Sequence, residues 1–509
     1  MGKNNHHQKS IVLITIITIV AKVIGFLRET VLAHYYGTSI VVDALVMATT
    51  IPGILFGGIT ALAVCFIPIY KKIQVERGKE DADHFTNKCV TYISILCVFA
   101  ILLVELFPDP IVTIIAPGYK GANKDLLTYY LRFAILQIFF LNLSAVLSAY
   151  LNCQKIFVET SLTTLLLSSI QIIGIILSAE KDSIIIIYSF IISYIAQFVA
   201  LVCICLKNRY RYKLEYKFDT DIKLLIHMVI PVFLSDMAGQ INAYIDKMFS
   251  SFLGEGVLSG LTYSHLIISL VENILTTGIL MVLFEQISEW VARSERDKIN
   301  TQTSRIIVIL FMLYLPITIG LIVFHDEIIR IVYYRGSFDE TSLQFTAMPL
   351  AMYSLGLIPT SFNLILTKIL YAEKNSKTPL IASITMFVVN GIVNLLLIHS
   401  MGGSGLALAS AVSALSCLPI YLRKLKKIGY NIFKPQMMKS LPKIIISSAI
   451  MLVFLLLCKF FRLTTSNLWV IVLILGAAAL YGLMLILFRI PEVNVLLSMV
   501  KLKKRKEAR

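Results

Sequence analysis

The sequence predicts an all-α polytopic membrane protein: about 14 transmembrane helices, in two six-helix lobes around a central cavity, with a two-helix C-terminal tail. Three observations predict it. Hydrophobic residues make up 57% of the 509 and charged residues 15%, with a mean hydropathy of +0.82, far from the balance of a soluble globular chain. Apolar runs long enough to cross a bilayer recur along the whole chain and leave no room for a soluble catalytic domain. The cations collect in alternate loops, as insertion orientation requires.

The expected spans begin near Ile11, Ile40, Phe85, Leu126, Ile156, Ser183, Ile222, Leu258, Ile306, Leu343, Thr378, Gly405, Ile444 and Asn467. The polar, basic opening is followed by a long run with internal charge and no small-residue cleavage site. The first span is therefore expected to be a retained helix and not a signal peptide. With the amino terminus inside, 34 of the 46 Lys and Arg residues fall in inside segments, which places both termini in the cytoplasm.

The net charge of +16 needs no nucleic acid, since orientation and contact with anionic lipid already account for it. The basic tail at 501–509 reads as a lipid-surface anchor. Eight cysteines lie scattered without zinc or disulfide spacing and read as packing residues. His6 and His7 have no further ligands nearby and read as a solvated tail.

An internal repeat organises the spans. A shift of 217 residues carries Glu29 onto Asp246, Gly37 onto Gly254 and Ala61 onto Gly278. The expected division is an N-lobe at 1–206, a basic cytoplasmic linker at 207–221, a C-lobe at 222–428, and the last two helices with a basic tail at 429–509. Two parallel lobes about a cavity suit an alternating-access transporter. No span shows a channel filter or ring-forming charges, and no cytoplasmic carboxylate cluster of a membrane transferase is evident, so no enzyme activity is expected.

The first span, 11–33, holds Lys22, Arg28 and Glu29 inside its apolar run. A charge at the bilayer centre costs at least about 2.5–3.5 kcal/mol, so these groups belong in a wet cavity or the protein interior. Arg28 offers a planar fork and Lys22 a mobile point charge for an anion, or else Glu29 neutralises both as a structural network. Asp43 either orients Arg28 or caps the second helix. Asp236, Gln240 and Lys247 follow helical spacing on the seventh span and either line the cavity or pack inside the lobe.

The stretch Lys22-Val-Ile-Gly-Phe-Leu-Arg28-Glu29, then Tyr36-Gly37-Thr-Ser, Val42-Asp43-Ala44, Ile51-Pro52 and Phe66-Ile67-Pro68, resembles the amino-terminal signature of the lipid II flippases, the MurJ or MviN family. The second half adds Tyr334-Arg335-Gly336-Ser-Phe338-Asp339, Tyr353-Ser-Leu-Gly356-Leu357, Thr378-Pro379, Asn390, Asn394 and Gly405-Leu-Ala-Leu-Ala-Ser410. The resemblance covers nearly the whole chain. It implies fourteen helices and movement of undecaprenyl-pyrophosphate-linked peptidoglycan precursor from the inner to the outer leaflet of the bacterial cytoplasmic membrane. Substrate-binding positions would be Lys22, Arg28, Glu29, Asp43 and His265.

It further implies a candidate sodium site at Asp246, Asn390, Asn394, Ser410 and the Leu406 carbonyl, with no other cofactor. Implied partners are the lipid-linked glycan, anionic membrane lipids and cell-wall or polysaccharide synthases. The chain departs from the family pattern in four places. Pro52-Gly-Ile-Leu-Phe-Gly-Gly58 lacks the usual arginine pair, Leu266 stands where an arginine is common, Glu285 replaces the proline usual near the inner end of the eighth helix, and Asn394 stands where an aspartate can occur. A flippase for another lipid-linked polysaccharide unit, or a multidrug or cation antiporter, is the alternative.

Overall fold

The computed structural model describes residues 2–56, 59–293, 295–432, 434–461 and 466–493, and every regular element among them is helical. The helices run α1 (Gly2–Tyr36), α2 (Ile40–Phe56), α3 (Ile59–Glu76), α4 (Lys79–Leu106), α5 (Pro108–Ile115), α6 (Ala122–Cys153), α7 (Phe157–Glu180), α8 (Ile184–Lys207) and α9 (Thr220–Ser250). A short 3-10 turn, Ser251–Leu253, leads to α10 (Val257–Ala292), α11 (Arg296–Val323), α12 (His325–Tyr333), α13 (Glu340–Ser354), α14 (Leu357–Ala372), α15 (Lys377–Lys427), α16 (Pro435–Phe460) and α17 (Asn467–Leu487). The chain is a multi-pass membrane protein. Among the described residues nine helices are long and apolar enough to cross a bilayer, or ten if α13 and α14, bent by 46°, form one span.

That is fewer than the fourteen expected, and the difference sits in particular elements. α15 holds two expected spans folded back at Gly402, whose φ of +55 only glycine adopts cheaply. The fold is tight enough that a Cβ on Gly405 would lie 2.9 Å from the Leu397 carbonyl oxygen. The second expected span is divided between α2 and α3, and its apolar part, Ile40–Thr50, is short. In α1 and α9 many side chains lie outside the described set, among them His6, His7, Asp236 and Gln240; Glu285 and the 501–509 tail also lie outside it.

Two compact units divide the chain. The first comprises Met1–Ser259 and Arg335–Asp339, the second Gly260–Tyr334 and Glu340–Arg509. α9 packs in the first unit against α2, α3 and α4.

The first unit buries polar and small groups and turns large apolar ones outward, the arrangement of a bundle surrounded by lipid. On α4, Cys97, Ala100 and Val104 are buried while Ile95, Leu96 and Phe99 are exposed. α7 and α8 approach so closely at Gly174 that a Cβ there would lie 2.0 Å from that of Ser189. Gly37 and Gly254, matched by the repeat, both take positive φ just after a helix, at +54 and +96. The Arg335–Asp339 loop docks on the end of α1: the Ser337 amide donates to the His34 carbonyl at 2.7 Å, and Gly336 has φ +64. Seven of the eight cysteines are buried, Cys203 is exposed, and all are free thiols.

The second unit is built in the same manner. Ser264 of α10 donates to the Thr346 carbonyl of α13 at 2.6 Å, and a Cβ on Gly260 would lie 2.4 Å from the Phe345 carbonyl oxygen. Asn390 and Asn394 are fully buried on the first arm of α15.

The segment joining α8 to α9 is an extended strap. From Tyr210 to Asp219 it runs along the polar start of α4. There Glu215 meets His84 at 2.5 Å and Asn87 at 3.0 Å, Lys88 donates to Asp219 at 2.6 Å, and one Arg77 guanidinium nitrogen donates to both Asp221 oxygens at 2.7 Å. Asp219 also accepts from the Ile222 amide, capping α9.

Candidate substrate site

Arg28 faces α7 and α8. Its guanidinium pairs with Glu29, one nitrogen donates to Gln171 Oε1 at 2.7 Å, and its carbon lies 5.8 Å from the Phe190 ring centroid. Gln171 is itself fixed, donating to Ser193 Oγ at 3.0 Å, and Ser193 donates to the Phe190 carbonyl at 2.6 Å. The planar fork therefore already holds a carboxylate, an amide and an aromatic face, each suited to guanidinium chemistry.

Seven residues separate Lys22 from Glu29, so the two share one face of α1 about 10 Å apart along its axis. Arg28 sits on a different face. Lys22 is exposed in the first unit. Glu29 is also within electrostatic reach of Lys247 on α9, whose ammonium donates to Thr50 Oγ1 of α2 at 2.7 Å. α1, α2 and α9 thus bring Lys22, Arg28, Glu29 and Lys247 into one neighbourhood with an excess of two positive charges.

Lys247 is the residue that sequence reasoning undervalued. Beside Asp246 it reads as an ion-pair partner or a packing stripe, and nothing local shows that its ammonium reaches α2, some 200 residues away. The signal available was a cation inside an apolar span. Gln171 carried no signal at all.

Asp43 is not part of this group. It is fully buried, and its two oxygens accept from the backbone amides of Gly256 and Ser259, both at 2.7 Å, and from the Tyr119 hydroxyl at 3.3 Å. It caps a helix, but that helix is α10 and not its own. The free amides at a helix start favour a carboxylate through both hydrogen bonding and the helix dipole.

His265 belongs to the second unit, exposed on α10 with its ring edge-on to Tyr353 at 5.5 Å. The residues of the expected sodium site are divided. Asp246 is buried in the first unit, while Asn390, Asn394, Leu406 and Ser410 lie on the two arms of α15 in the second. There Asn394 donates to Asn390 Oδ1 at 3.0 Å and Asn390 to Ser410 Oγ at 3.4 Å. Their oxygens are the donors a hard cation takes, though they carry no charge among themselves. Among the described residues no cluster of three His, Cys, Asp or Glu could hold a metal ion.

Comparison with known proteins gives a consistent result. A family model described as lipid II flippase MurJ matches residues 32–479. A probable lipid II flippase MurJ of Rickettsia prowazekii is 29% identical over 414 residues, covering 80% of this chain and 81% of its own. One of Thermotoga maritima is 27% identical over 483 residues, covering 94% and 96%. A solved lipid II flippase MurJ in an inward closed conformation superposes with a TM-score of 0.81 at 24% identity, covering 94% of this chain and 99% of that one. An inward-facing multidrug resistance MATE transporter of the MOP superfamily shares the fold with a TM-score of 0.65 at 15% identity, covering 79% and 94%.

Proposed function

Because the chain belongs to the lipid II flippase MurJ family, we propose that it moves undecaprenyl-pyrophosphate-linked peptidoglycan precursor from the inner to the outer leaflet by alternating access. The family match across residues 32–479 carries this reading. Flipping makes and breaks no covalent bond. The task left to the side chains is to lower the cost of taking a pyrophosphate through hydrocarbon, which positive groups and donors along a wet route can do.

Lys22 and Lys247 serve as mobile point charges for the pyrophosphate. Arg28 contacts it when phosphate oxygens displace Glu29 from the fork, so Glu29 neutralises the Arg28 guanidinium between cycles while the two lysines keep the site positive. Asp43 positions α10 and does not touch substrate. His265 is the second unit's candidate contact. In the second unit the Asn390, Asn394 and Ser410 cluster, with the Leu406 carbonyl, is proposed as a sodium site, and Asp246, in the first unit, is proposed separately as a cation-binding carboxylate. The same proposal places the protein in the bacterial cytoplasmic membrane with both termini inside, its basic loops against anionic lipid, working beside cell-wall or polysaccharide synthases.

A second reading, a flippase for another undecaprenyl-pyrophosphate-linked glycan, is favoured by the apolar Leu266 at a position where the family commonly has arginine.

The test is export by Lys22→Gln, Arg28→Gln and Lys247→Gln at unchanged membrane abundance. A charge-assisted hydrogen bond contributes roughly 1.5–3 kcal/mol, so each change is expected to slow export by about tenfold or more. Full export by the triple variant overturns the assignment. The same flux measured with and without sodium, in the parent and in Asn394→Ala, tests the cation site.

A further inference from the structure

The strap between α8 and α9 carries more than its ion pairs. Its acidic groups face α4, where Glu215 and Asp219 are matched by His84, Asn87 and Lys88. Its large apolar groups are left outside: Leu214 is 70% exposed and Tyr216 78%, and Phe218 is more than half exposed. Lys213, Lys217 and Lys223 are exposed among them, and none has an ion-pair partner among the described residues. Lys223 lies 5.8 Å from the centre of the Phe218 ring.

The position of this patch along the unit says what covers it. Phe218 packs edge-on to Tyr92 of α4 at 5.9 Å, and the Tyr92 hydroxyl donates to the Tyr216 carbonyl at 2.7 Å. Tyr92 is one turn from Ile95 and Leu96 and two from Phe99, the exposed apolar stripe of that membrane-spanning helix. On the other side, α9 begins with exposed Leu224 and Ile226. The patch therefore continues two lipid-facing stripes at the level where they become polar. Aromatic rings with a polar edge settle at that depth, and unmatched lysines there meet headgroups.

We propose that the strap is an anionic-lipid site: Leu214, Tyr216 and Phe218 enter the bilayer interface while Lys213, Lys217 and Lys223 hold the headgroups of acidic phospholipids. The site lies on the cytosolic side in the orientation proposed above. It deepens the expectation that basic loops meet anionic lipid, and it makes no use of the transported substrate.

The experiment places a single indole in the strap, Tyr216→Trp, in a Trp290→Phe/Trp469→Phe background. The protein is reconstituted in vesicles of equal phosphatidylglycerol and phosphatidylcholine, with one or the other lipid brominated to quench the indole. Quenching by brominated phosphatidylglycerol is expected to exceed that by brominated phosphatidylcholine, with a preference of about fivefold for each lysine near the surface at low ionic strength. Lys213→Gln/Lys217→Gln, which leaves every strap ion pair in place, should remove most of that preference, and so should high salt.

Equal quenching by the two lipids, or an indole emitting as in water and quenched by neither, overturns the proposal. Because nothing is transported in the measurement, its outcome is separate from that of the flippase reading.

Discussion

Both carboxylate oxygens of Asp43 accept hydrogen bonds from the start of α10, and a third bond comes from Tyr119. Asp43→Asn turns one acceptor into a donor facing a backbone N–H, which leaves buried groups unmatched at a cost of about 1–3 kcal/mol. The variant is expected to unfold several degrees below the parent in detergent, and a thermal melt read by circular dichroism checks it. An unchanged melting temperature with export abolished would instead make Asp43 a substrate contact. The charges themselves were legible in the sequence, because a cation in an apolar run has few interpretations. Their partners were not: Gln171 is 143 residues from Arg28, and the amides that meet Asp43 are more than 210 residues away. Such pairings are properties of packing, not of local pattern.

The strap is held to α4 by carboxylates whose protonation would release it. Burial opposes the charge on Glu215, but hydrogen bonds from Asn87 and His84 outweigh it and hold its carboxyl below the ordinary value of 4.5. Asp219 is held below 3.8 in the same way, against burial, by Lys88 and the Ile222 amide. Carboxyls with lowered values bind fewer protons folded than unfolded. Their contribution is therefore fully present above the ordinary carboxylate range and is lost as pH falls through the folded values. Protection of the amides across 207–221, taken relative to the intrinsic exchange rate at each pH, should be high at neutral pH and fall as pH drops below the ordinary carboxylate values. Protection that persists unchanged into strong acid would show that the ion pairs do not hold the strap. Hydropathy and cation counting located this segment as a basic loop. Its acidic residues, which fasten it, stood out in neither measure.

For the whole molecule, periodicity and composition were enough for the class, all-helical and multi-pass, and the quoted motifs were enough for the family. They were weaker on element boundaries. The packing of α9 with α2, α3 and α4 in the first unit is a property of contacts that no sequence repeat reports. The count of spans suffered similarly where a helix breaks at Gly402 or bends between α13 and α14, since hydropathy records apolar length and not direction. The transporter that shares the fold at 15% identity is a multidrug resistance MATE protein, so the fold by itself does not choose the cargo. The measurement that chooses is depletion of the protein in its own cell followed by a leaflet-resolved assay of lipid II, with complementation by the intact chain. The account predicts that lipid II accumulates in the inner leaflet and returns to the outer one on complementation. Normal lipid II export under depletion, with or without another undecaprenyl-linked glycan stranded inside, would contradict it.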